Sequence, residues 1–108
     1  MIYYYFLFIQ NGLCIFEKNL ERKNNIGDDE YNKMRILIQK IVLKIMNISN
    51  NDSKNKEVMF CFNRFIINNF KITIMIKSKV ASVGVFSFNS SRGFQNLLLI
   101  HLYISLIH

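Results

Sequence analysis

The chain has no proline, a single alanine (Ala81), four glycines, two cysteines and two histidines in 108 residues. Each shortage excludes something. Phosphate-cradling loops need clustered glycines, and Gly12, Gly27, Gly84 and Gly93 stand alone. Cys14 and Cys61 are too few to build a disulfide framework. Each sits in an apolar run, Leu13-Cys14-Ile15-Phe16 and Phe60-Cys61-Phe62, and reads as a small buried hydrophobe. Two Cys and two His at these separations match no zinc-finger or ribbon spacing, so no metal or other cofactor is expected.

Carboxylates are missing from half of the chain. All seven Asp and Glu lie between Glu17 and Glu57, whereas residues 58–108 carry Arg64, Lys71, Lys77, Lys79 and Arg92. The net charge of +7 therefore divides into +2 for residues 1–57 and +5 for the remainder. Such a balance suits an anionic partner. No dense basic cluster or nucleic-acid-binding signature accompanies it, which places nucleic acid well behind an anionic membrane surface as a partner.

What replaces the missing residues is a narrow set. Phe, Tyr, Met, Ile, Asn and Lys account for 61 of the 108 residues, and Gly, Ala, Arg and Pro for only 9. The first six are encoded by A- and T-rich codons and the other four by G- and C-rich ones, so the coding DNA is AT-rich. That bias accounts for much of the lysine excess. It also accounts for the glycosylation-type triplets at Asn47, Asn51 and Asn89, given fourteen asparagines in the chain. A hydrophobic fraction of 51% excludes wholesale disorder, and the length fits one domain over residues 1–108.

Residues 1–16 carry no charged side chain, and Ile2 to Ile9 is an unbroken apolar run with three tyrosines. A bilayer span needs about 20 apolar residues, and no basic leader or small-residue cleavage site is evident. A buried strand is favoured, since aromatic and β-branched residues suit one. Glu17 to Asn25 is polar and reads as a loop or short exposed helix. Asp28 is placed to cap a helix whose acidic first turn complements the positive end of the helix dipole.

Over residues 29–48, Tyr31, Met34, Ile38, Ile41, Ile45 and Ile48 recur at spacings of three and four. They form one apolar stripe on a helix, widened by Leu37, Val42 and Met46, with Arg35 at its margin. Lys33, Lys40 and Lys44 gather on the opposite side and are the candidate membrane- or partner-contacting residues. Residues 49–57 (SNNDSKNKE) form a polar loop or linker.

Beyond it the period becomes 2. Val58 to Ile67, the alternating Phe70, Ile72, Ile74 and Ile76, and Lys79 to Phe88 read as a β-meander over residues 58–88, with Asn68-Asn69 at its first turn. Asn89 to Gly93 breaks the chain. Residues 94–108 contain no Asp, Glu, Lys or Arg, and the apolar run Leu97 to Ile107 fits a strand or a helix equally by periodicity.

The fold class expected is α+β, with the helix at 29–48 packed on the meander at 58–88 and apolar end segments of either type. Chemistry is sparse. His101 and Cys61 can be drawn as a base and nucleophile, but nothing local surrounds either. Phe60, Phe62, Arg64 and Phe65 interleave aromatics with a cation, as a stacking platform would, though in a chain with ten phenylalanines a core role weighs more. Three functional readings follow. The first is a small protein that is not an enzyme; the second is a small basic protein associated with a membrane. The third is the translation of an AT-rich frame with no selected function.

Overall fold

The structure is a computed structural model that describes residues 2–20, 27–51 and 60–107. In chain order the elements are β1 (Ile2–Ile9), β2 (Cys14–Asn19), α1 (Asp28–Asn51), β3 (Cys61–Ile67), β4 (Phe70–Lys77), β5 (Val80–Phe86) and α2 (Arg92–Ile107). The strands form one antiparallel sheet in the order β2-β1-β5-β4-β3. The fold is α+β.

The meander expected over 58–88 is present as β3, β4 and β5 between Cys61 and Phe86; residues 58 and 59 lie outside the described residues. Its two turns use residues in the left-handed region, Asn68 (φ 54°) in the first and Ser78 (φ 51°) with Lys79 (φ 65°) in the second. Two successive positive φ values match the right-handed twist of the strands they join. The N-terminal apolar run is also a strand. β1 lies inside the sheet between β2 and β5, which is why it is apolar on both faces.

Alternation along the strands sorts the core into two layers. Tyr4, Phe6 and Phe8 of β1, Ile72, Ile74 and Ile76 of β4, and Ala81, Val83 and Val85 of β5 face α1, which meets them with Met34, Ile38, Val42 and Met46. Tyr5 and Leu7 of β1, Met75 of β4 and Phe86 of β5 face the other way, where Leu99 and Tyr103 of α2 cover them. One helix therefore lies on each face of the sheet.

Several sequence expectations need correction. β2 occupies Glu17 to Asn19, where a loop or short helix was expected. It is an edge strand, largely exposed, so its charges sit where an edge tolerates them. The first backbone bond of α1 runs from the Tyr31 amide to the Gly27 carbonyl, which puts Gly27 at the N-cap and Asp28 one residue inside. Leu37 is exposed rather than part of the apolar sector, as is Ile36. Residues 49–51 continue α1 instead of starting the polar loop, and residues 52–57 lie outside the described residues. The C-terminal apolar segment, open between strand and helix, is a helix.

Candidate functional site

The α2 side of the sheet is shaped by small residues at its centre. Tyr5, Gly84 and Thr73 stand side by side on β1, β5 and β4, with Leu7, Ser82 and Met75 in the next row. Ser82 and Gly84 leave a shallow trough between larger neighbours. A Cβ on Gly84 would fall 2.3 Å from the Phe86 ring and 3.1 Å from a Leu99 methyl, so the absent side chain is what lets Phe86 and Leu99 pack there.

Two polar threads pin α2 in this trough. Tyr5 Oη and Ser82 Oγ share a 2.6 Å hydrogen bond, and Ser82 Oγ also donates to the Leu99 carbonyl at 3.3 Å. Thr73 Oγ1 donates to Gln95 Oε1 at 2.7 Å, and Gln95 Nε2 donates to the Ser90 carbonyl at 3.2 Å. Both threads are buried, which makes them directional and intolerant of misplacement. Burial pushes the Tyr5 hydroxyl up to about 12, against a smaller opposing effect of its bond with Ser82. At the start of α2, Ser91 Oγ accepts from the Phe94 amide at 3.2 Å, an N-cap.

The outer face of α2 is apolar as well. Phe94, Leu97, His101 and Ile104 recur at spacings of three and four; Leu97, His101 and Ile104 point away from Gln95, Leu99 and Tyr103, while the half-exposed Phe94 also meets the Phe86 ring edge-on at 6.2 Å. Leu97 is 71% exposed and Ile104 48%. An ordinary surface helix has polar groups there. This helix has a second apolar stripe interrupted only by His101.

Cations border this face on the flank of β3 and β4. Arg64 donates through Nη2 to Asn96 of α2 and lies 5.5 Å from the Phe62 ring centroid. Its guanidinium pKa is lowered by burial and by the neighbouring charge of Arg92. Lys71 Nζ lies 5.3 Å from the centre of the Phe88 ring, and Lys77 Nζ lies 4.2 Å from that of Phe60, which in turn meets Tyr103 edge-on. On the opposite flank Lys18 pairs with Tyr5 across β2 and β1 and so faces the α2 side.

The described carboxylates Glu17, Asp29 and Glu30 lie on the other side. Glu17 pairs with Phe6 in the sheet and so faces α1, where it meets Arg35 Nε at 2.6 Å. Burial raises the Tyr31 hydroxyl to about 12, with the Glu17 charge second. Lys33, Lys40 and Lys44 are all exposed on the outer side of α1. They share that helix with exposed Asp29 and Glu30 and with the aliphatic Ile36 and Leu37.

The chemistry drawn from sequence is dispersed. Cys61 pairs with Ile76 and faces the α1 layer, whereas His101 is exposed on the far side of α2. The sheet separates the two, so they form no nucleophile–base pair. Cys14 and Cys61 are half-buried free thiols on opposite edge strands. Four inter-strand steps of about 4.8 Å put roughly 19 Å between those edges, far beyond disulfide reach. The aromatic–basic segment divides: Phe60 and Phe62 join the α2 layer and Phe65 the α1 layer. No group of three or more potential metal ligands occurs among the described residues.

Among known proteins, the chain matches no family model and no curated relative.

Proposed function

We propose that this protein is a non-enzymatic docking module whose working surface is the outer face of α2. The observation that carries the reading is a 16-residue helix fastened to the sheet by Leu99, Tyr103 and two buried polar threads, with Leu97 and Ile104 left facing outward. Exposing a contiguous apolar ridge on a soluble surface is unfavourable unless something covers it. The titratable groups whose pKa values shift also fit a structural role. Tyr5 and Tyr31 are displaced chiefly by burial, and Arg35 is raised by its bond to Glu17.

Membrane association is one form of this reading, favoured by the cations Arg64, Lys71, Lys77 and Arg92 on the α2 side. The reading also weighs against an unselected frame. Among the described residues every buried side-chain nitrogen and oxygen has a hydrogen-bond partner, and Gly84 stands where a Cβ would clash. Agreement at several levels at once is the mark of a sequence that specifies its fold.

The test is complementation in cells from which the gene has been removed. A chain carrying Cys14→Ser and Cys61→Ser together should restore the phenotype, and one carrying Leu97→Glu with Ile104→Glu should not. Loss of rescue in the first and retention in the second would mark an enzyme instead. Native peptides of the chain in whole-cell mass spectrometry are expected on this reading and incompatible with an unselected frame.

A further inference from the structure

We infer that the outer face of α2 docks on an anionic lipid bilayer, with Leu97 and Ile104 entering the interface beside the half-exposed Phe94 and the flanking cations meeting the headgroups. The inference rests on the docking reading above and names its partner.

Charge complementarity carries the choice. Among the described residues, Glu17 and the acidic first turn of α1 lie on one side of the sheet, and Arg64, Lys71, Lys77, Arg92 and Lys18 border the other. No carboxylate occurs in residues 58–108. A second copy meeting the first through α2 would bring two positive borders together, which like-charge repulsion opposes. The partner therefore carries negative charge around an apolar receiving surface, as an anionic membrane does.

Shape and chemistry favour lipid over an acidic protein. The ridge is convex and about 15 Å long from Phe94 to Ile104 at 1.5 Å per residue, with Phe, Leu and Ile along its crest. Its crest offers His101 as the one polar side chain between Phe94 and Ile104. Specificity for a protein groove comes from directional contacts and from groups that penalise wrong partners. A fluid interface asks for neither. It requires an apolar face with Lys and Arg at its borders, whose aliphatic stems span the depth between chain and headgroup. The association is peripheral, since no described helix is long and apolar enough to cross a membrane.

The surface differs from the one suggested by sequence. Lys33, Lys40 and Lys44 of α1 share their helix with Asp29 and Glu30, whereas among the described residues the α2 border is of one sign.

The experiment is co-sedimentation of the full chain with vesicles of phosphatidylcholine alone or mixed with phosphatidylserine, at low and high salt. Partitioning should be about tenfold or more stronger on the anionic vesicles, and salt should weaken it, as several interfacial cations imply. Leu97→Glu with Ile104→Glu should abolish binding while leaving the thermal transition in place. Lys33→Ala, Lys40→Ala and Lys44→Ala together should change it less than about twofold, since exposed α1 charges would stand more than a screening length from the bilayer. Equal binding to both vesicles, no binding, or loss of binding in the α1 triple variant overturns the inference. If vesicles fail but Leu97→Glu with Ile104→Glu still prevents complementation, the docking reading stands with an acidic protein as partner. If complementation also survives those substitutions, both fall.

Discussion

Gly84 is the residue on which the α2 layer depends most locally. Its backbone needs no special φ, so the constraint is space alone: an added methyl meets the Phe86 ring at 2.3 Å. Phe86 is fully buried. Gly84→Ala should therefore destabilise the protein by about 1–3 kcal/mol, the usual cost of overpacking a dense core, read as a lower urea midpoint at unchanged slope. Tyr5 gives a pH signature on the same face. In the unfolded chain it ionises near 10, and in the fold burial holds the proton to about 12. The folded state thus binds more protons than the unfolded one in that window. This contribution is complete below pH 10 and is lost as the pH rises towards 12. Urea midpoints measured from pH 9 to 12 should fall with pH, and the fall should be shallower in Tyr5→Phe.

At the scale of elements, α2 has two faces that substitution should separate cleanly. Leu99 is fully buried and Leu97 is largely exposed, two residues along the same helix. Leu99→Ala should cost about 2–5 kcal/mol, whereas Leu97→Ala should stay within roughly 0.5 kcal/mol, both by chemical denaturation. The elements also differ in how plainly the sequence announces them. α1 and the meander are legible because each has one buried and one exposed side, so period 3.6 and period 2 stand out. β1 is legible by its aromatic and β-branched content and its length. β2 is not, because an edge strand with Glu17 and Lys18 on it lacks a continuous apolar face; the available signal was Asn11-Gly12 between two apolar runs, a hairpin turn. Gly12 takes φ 81° there, and its carbonyl accepts from Gln39 of α1 at 2.8 Å. In α2 both faces are apolar, so periodicity had nothing to contrast. Leucine at 97, 98, 99, 102 and 106, with Ser91 as cap, carried the helical information through propensity instead.

At the scale of the molecule, the organising feature is a sheet with unlike sides. One side carries α1, mixed charge and the Glu17–Arg35 pair; the other carries α2, an apolar crest and a border of cations. The sequence hinted at this asymmetry by confining every carboxylate to residues 17–57. Linear order could not show that Lys18 would join Arg64 and Lys77 on the side from which Glu17 is turned away. That follows from alternation on β2 and from the strand order, in which β1 pairs with β5, and α2 lies over β5 and β4. The candidate surface was hidden for the same reason. The lysine face of α1 is conspicuous in sequence, whereas an apolar stripe on a helix apolar on most sides becomes visible only when its opposite stripe is seen to be buried.

The chain contains no tryptophan, so one introduced indole reports its own position without background. The most direct measurement compares Leu97→Trp with Lys40→Trp in the presence of phosphatidylserine-containing vesicles bearing brominated acyl chains. If α2 docks as described, Leu97→Trp shifts its emission to the blue and is quenched, while Lys40→Trp does neither. A shift and quenching at Lys40→Trp with none at Leu97→Trp, or a response at neither position, would contradict the account.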